Sequence, residues 1–122
     1  MSDDQHHHGV LDDLLPQQRA LRKQIPDVYK GFAELSSAAF TEGALSRKVK
    51  ELIALAIGVV EGCDGCIASH AKAAALAGAT PQEAAEAIGV TFLMHGGPAT
   101  IYGARAYAAF CEFTDATVAP PS

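Results

Sequence analysis

Apolar residues recur with helical rhythm through the middle of the chain. Val49, Leu52, Ile53, Ala56, Ile57 and Val60 stand at i, i+3, i+4, i+7, i+8 and i+11, which lays an apolar stripe along one helix face. The pattern predicts a helix over about Arg47–Glu61 with Ser46 as its cap. Leu55 and Val59 lie off the stripe yet are apolar too, so this helix reads as buried on two sides. Glycine and aspartate around Gly62–Gly65 break it, and a fourth helix follows from about Cys63 to Ala77, ended by Gly78. "TPQE" at Thr80–Glu83 combines a capping threonine, a first-position proline and a glutamate placed to complete a capping box. The fifth helix it opens runs to about Met94, "HGGP" at His95–Pro98 interrupts, and a sixth runs from about Ala99 to Phe113.

Upstream, a short helix is expected over Leu11–Lys23. Pro26 starts another, which carries Val28, Phe32, Leu35 and Phe40. There is no strand-like alternation and no internal repeat, and alanine is abundant, which favours helix and lets helices approach closely. The expected fold is all-α, with about six helices. Residues 10–113 form one domain between a disordered tail (residues 1–9) and a frayed one (residues 114–122). His6, His7 and His8 read as part of an exposed tail, native or left by a tag.

Composition adds self-association to this picture. Of 122 residues, 49% are hydrophobic and only 19% are charged, against a usual ~25% charged. Mean hydropathy is +0.13. Monomers rarely expose large apolar patches, so a homo-oligomer is expected. A net charge of −5 and a pI near 5.4, with no basic stripe, argue against nucleic acid as a partner. The apolar run Leu52–Val60 is too short to span a bilayer, which takes ~20 residues. The acidic, polar N-terminus does not read as a signal peptide. The expected location is the cytoplasm, where a close cysteine pair is redox-active or metal-binding rather than a permanent staple.

The candidate chemistry sits on the greasiest segment, "ELIALAIGVVEGCDGCIASH" (Glu51–His70). Cys63, Cys66 and His70 stand at i, i+3 and i+7, on one helix face. Both thiols fall at a helix start, where free N–H groups and the helix dipole favour a thiolate. A pair so spaced can close a disulfide and support a two-electron couple. His70, one turn beyond Cys66, can exchange protons with it. Glu51 precedes Cys63 by ~18 Å of straight helix. A turn-back near Gly62 would bring it level with about Ala73, within reach of His70 directly or through one water. The series Glu51, His70, Cys66 then reads as orienting acid, base and nucleophile.

Plainer readings stand beside this one. Glu51 can be a solvated acid in a first helical turn, His70 a structural histidine, and the thiols a buried pair. Zinc wants four ligands; here there are two thiols and one nearby histidine, and Cys111 reads as a core cysteine. His95 reads as a helix-terminal histidine favoured by the dipole, and Tyr102 and Tyr107 as core or interface aromatics.

The stretch "SRKVKELIALAIGVVEGCDGCIASHAKAAALAGATPQEAAEAI" resembles the core of the carboxymuconolactone decarboxylase superfamily, on its alkylhydroperoxidase-D-like branch. The resemblance covers about Ser46–Ala108. The branch pattern is a glutamate, a Cys-x-x-Cys pair twelve residues on, and a histidine four beyond the second cysteine. Glu51, Cys63, Cys66 and His70 fill its slots, and the "GGPA" segment agrees. The resemblance implies a helical fold assembled as a trimer or hexamer, and an antioxidant, peroxiredoxin-type hydroperoxide reductase or disulfide oxidoreductase. It implies that Cys66 forms the sulfenic acid. Cys63 donates a proton and resolves the disulfide, and Glu51 and His70 form the proton relay. The reductant is implied to be a dithiol of lipoyl type on a carrier protein, with a peroxiredoxin as a downstream acceptor. No cofactor or metal is called for. The physics pulls two ways on the nucleophile: the dipole favours Cys63 and the i+4 histidine favours Cys66, while Asp64 opposes a thiolate at either. The resemblance assigns Cys66. Better-studied members carry a histidine where this chain has Gly65, which implies a shorter relay. Two competing functions are the lactone decarboxylation that names the superfamily, which needs no Cys-x-x-Cys pair, and a non-catalytic helical oligomer.

Overall fold

The computed structural model describes residues 6–114. They form six helices: α1 (His6–Gln24), α2 (Pro26–Phe40), α3 (Arg47–Glu61), α4 (Asp64–Leu76), α5 (Pro81–His95) and α6 (Gly97–Thr114). No strand occurs among the described residues. The last four helices pack into the core, around Leu55 and Val59 of α3, Ile67 of α4, Ile88 of α5 and Phe110 of α6. Small residues bring the axes close. Ala71 and Ala74 of α4 and Ala106 and Ala109 of α6 are fully buried. At Gly103 of α6 an added Cβ would meet Ile88 Cγ2 at 2.8 Å and Phe92 Cε1 at 2.9 Å.

The helix boundaries follow local chemistry. The Ser46 side chain accepts from the N–H of Val49 at 3.2 Å. The Thr80 hydroxyl accepts from the N–H of Glu83 while the Glu83 carboxylate accepts from the N–H of Thr80, a reciprocal capping box. Gly62 ends α3 in the left-handed conformation, at φ 63° and ψ 38°.

Two expectations need correction. The first helix does not wait until Leu11; it begins at His6, and His7 is buried. Its cap comes from the other end of the chain. The Glu112 carboxylate accepts from the N–H of His7 at 3.2 Å and of His8 at 2.8 Å, and contacts both imidazole rings. These bonds satisfy N–H groups that a helix start otherwise leaves free. Residues 6–9 are therefore helix rather than tail. Residues 1–5 and most of the expected frayed segment, 115–122, lie outside the described residues.

The second correction concerns α3, expected to be buried on two sides. Within its own chain one side is covered and most of the regular stripe is not: Ile53 is 46% and Ile57 55% exposed. The inward face is Glu51, Leu55, Gly58 and Val59, with Leu52 at the margin. Where both faces of a helix are apolar, period alone cannot say which one turns inward. Here the choice falls to the face bearing Gly58, where an added Cβ would touch Cys66 Cβ at 3.4 Å. That is ordinary van der Waals contact, so α3 and α4 pack directly against each other along this face.

Candidate active site

The site is built on the α3–α4 hairpin. Gly62 reverses the chain with a positive φ, a conformation that costs a residue with a Cβ about 1–2 kcal/mol. The Tyr102 ring of α6 also closes the space, lying 3.2 Å from where that Cβ would stand. Cys63 follows as the N-cap of α4, its sulfur accepting from the N–H of Cys66 at 3.1 Å. Cys63 and Cys66 are joined as a disulfide, with their Cα atoms 5.2 Å apart. Cys63 is half-buried and Cys66 exposed, so a partner reaches Cys66 more easily.

The reversal puts Glu51 beside His70. Glu51 Oε1 lies 2.9 Å from His70 Nδ1, so the contact is direct and needs no bridging water. Glu51 is only 2% exposed, and a carboxylate so buried must find partners. Both oxygens have one, since Arg47 Nη2 donates to Oε2 at 3.4 Å. Glu51 is thus not a solvated first-turn acid. With an ionised Glu51 accepting from Nδ1–H, the second ring nitrogen of His70 is left with its lone pair. The ring lies one turn along the helix from Cys66, half-buried.

Several neighbours carried no strong signal in the sequence. The Phe40 ring, at the end of α2, stands 5.8 Å from the His70 ring at a 35° tilt. The Arg47 guanidinium lies 5.5 Å over the same Phe40 ring. Arg47 was legible in principle, as a cation four residues before Glu51; Phe40 had no local signature. Gly65, the departure from the branch pattern, has a neighbour of its own: an added Cβ there would sit 3.0 Å from Leu14 Cδ1 of α1. Of the remaining candidates, Cys111 is a buried free thiol in α6 and His95 is exposed at the end of α5. Tyr102 and Tyr107 pack against the core.

The site is therefore a disulfide at the start of a helix, backed by a buried carboxylate–imidazole pair, in an all-helical domain. The chain and its fold have relatives. The carboxymuconolactone decarboxylase family profile matches residues 26–119, and the chain belongs to that family. It superposes with a TM-score of 0.87 on the apo crystal structure of a carboxymuconolactone decarboxylase family protein from Legionella pneumophila, at 38% identity over 90% of this chain and 98% of the other. An uncharacterized protein of Cupriavidus necator is 36% identical over 82% of this chain and 88% of its own length. Uncharacterized protein 4 in the cox locus of Paracoccus denitrificans is 39% identical over 70% of this chain and 77% of its own. Among the described residues no helix is long and apolar enough to cross a membrane.

Proposed function

We propose that this protein is a thiol-dependent hydroperoxide reductase. The reading rests on the 2.9 Å contact between buried Glu51 and His70 behind the Cys63–Cys66 disulfide. In the reduced protein His70 takes the Cys66 proton. The thiolate attacks the distal oxygen of a hydroperoxide, and the O–O bond breaks. Oxygen stays on sulfur as a sulfenic acid, and the alkoxide leaves as an alcohol with a proton returned by the relay. The Cys63 sulfur then attacks Cys66 sulfur, the S–S bond forms and water departs. A dithiol of lipoyl type restores both thiols through a mixed disulfide and is itself oxidised to a cyclic disulfide. Exposed Cys66 and the helix-start position of the pair support this order. A lactone decarboxylase would have no use for the disulfide. The cycle belongs in a reducing compartment, the cytoplasm.

The working form in this reading is a homo-oligomer, a trimer or hexamer. Helix α2 buries no residue, and Val28, Phe32 and Leu35 are each more than 60% exposed. The outer faces of α3 and α5 leave an apolar groove of about 360 Å³ lined by Val49, Ile53, Ile57, Ala87 and Val90. A second copy supplies the cover that one chain lacks.

The test is hydroperoxide consumption with a dithiol donor. Cys66→Ser should abolish it. Cys63→Ser should allow one turnover and leave a sulfenic acid at Cys66, detected by mass spectrometry after dimedone trapping. Full activity in Cys66→Ser would refute the reading.

A further inference from the structure

Four side chains around the relay form a closed ring of contacts. Arg47 Nη2 donates to Glu51 Oε2 at 3.4 Å, and Glu51 Oε1 meets His70 Nδ1 at 2.9 Å. The His70 ring lies against Phe40 with centroids 5.8 Å apart, and the Phe40 ring carries the Arg47 guanidinium at 5.5 Å. We propose that Arg47 and Phe40 are positioning residues that hold His70 in the tautomer able to act as base toward Cys66. This rests on the relay reading above and extends it to two residues that do not touch the thiols.

The chemistry of the pair explains why a third and fourth member are needed. An ionised Glu51 accepts from Nδ1–H and leaves the other ring nitrogen as a base. A neutral carboxyl would instead donate to Nδ1, drive the ring proton to the far nitrogen and remove the base. Arg47 is always charged and presents a planar fork. Its contact occupies Oε2, orients the carboxyl group and leaves Oε1 to His70. The guanidinium is about half exposed, so its charge is partly screened. Its geometry therefore needs a second anchor, and the face of Phe40 provides one. The same ring packs against the imidazole and limits its rotation.

The placement of Phe40 is itself secured. Lys50 Nζ donates to the carbonyl of Thr41, the residue after Phe40, at 2.5 Å. The Thr41 hydroxyl donates back to the Ser37 carbonyl at 2.8 Å. Glu42 Oε1 accepts from the N–H of Arg47 at 3.5 Å. The end of α2 and the start of α3 are thus tied together around the ring. Among the described residues the cation in contact with the Glu51–His70 pair is Arg47 of α3, and the Glu42 carboxylate of the loop binds the Arg47 backbone.

The test uses the reduced full-length chain. Nitrogen-15 NMR of the His70 ring reads its tautomer directly, and the rate of Cys66 alkylation by iodoacetamide reads base assistance without any peroxide. Wild type should show the Nδ1–H tautomer. Arg47→Ala should lose it and slow Cys66 alkylation by about 10- to 100-fold, the range expected when a supporting partner of a reacting group is removed. Arg47→Lys keeps the charge but loses the planar fork and its stacking, so it should recover only part of both, and Phe40→Leu should also lie between wild type and Arg47→Ala. Arg47 is exposed at a helix start and Phe40 is only half-buried at a helix end, so circular dichroism should show all three variants folded. Arg47→Ala and Phe40→Leu that both keep the wild-type tautomer and alkylation rate would overturn the proposal. A wild-type chain with the Nδ1–H tautomer that Arg47→Ala abolishes, but no hydroperoxide consumption, would uphold it while refuting the hydroperoxidase reading.

Discussion

Helices α2 and α3 have the same length, fifteen residues, and adjoin through the short loop 41–46. Both carry an apolar stripe. Yet α3 buries Glu51, Leu52, Leu55, Gly58 and Val59, and α2 buries nothing. Apolar periodicity therefore measures how much cover a helix demands, not where the cover comes from. Helix α3 meets part of that demand inside its own chain, and the same packing buries the Glu51 carboxylate beside His70. Its outer face and most of α2 stay exposed in the single chain. The residue that links the two is Phe40, the last of α2, which reaches back to the His70 ring.

Substitutions on the two faces of α3 should separate these demands. Leu55 is fully buried, so Leu55→Ala should lower stability by about 2–5 kcal/mol, measured by urea unfolding. Ile57→Asp on the outer face should leave the fold of a single subunit nearly as stable, within about 0.5 kcal/mol, but should shift the assembly to monomer by light scattering. Phe32→Asp on α2 should do the same. A wild-type chain that is a stable monomer at micromolar concentration would break the comparison, since the outer face would then need no partner.

The hairpin turn offers a finer contrast. Gly62 and Gly78 both have positive φ, at 63° and 91°, but only Gly62 is crowded, with Tyr102 at 3.2 Å. Gly78→Ala should cost only the backbone strain, about 1–2 kcal/mol. Gly62→Ala should cost more, and should also slow the thiol chemistry because Glu51 and His70 meet across that turn. Thermal melts of the two variants and their Cys66 alkylation rates would decide this.

The smallest expected effect lies at α1. Burial works against the Glu112 charge, but the N–H groups and rings of His8 and His7 outweigh it and hold the carboxyl below the usual carboxylate range. A group depressed on folding contributes stability above its unfolded value, and that contribution is lost as pH falls through the folded value. Helix α1 should therefore loosen progressively from about pH 4.5 downward. The amide shifts of Leu14 and Gly65, which lie close to each other across α1 and α4, should report it. Glu112→Gln should show the same loosening at neutral pH.

Most of the fold was legible where the determinants are local. Ser46, Gly62, Thr80 and Glu83 mark their helix ends by side chains within a few residues. The pairing of Glu51 with His70 was legible for the same reason: a chain break at Gly62 leaves little choice of register. What stayed hidden depends on distant partners. The start of α1 is capped by Glu112 from α6. The inward face of α3 is set by its packing against the other helices of the core, which period alone does not reveal. Phe40 meets His70 only because the ends of α2 and α3 are tied together around them.

Glu51 carries the central claim, because the turn at Gly62 brings it to His70, which stands one helical turn from Cys66. The direct measurement is the rate of hydroperoxide reduction by Glu51→Gln with a dithiol donor, between about pH 6 and pH 9. The glutamine is nearly isosteric and should leave the fold intact. We expect a loss of about 10²- to 10⁴-fold, the usual worth of general acid–base assistance. A wild-type rate across that range would contradict the relay and reduce Glu51 to a buried structural acid.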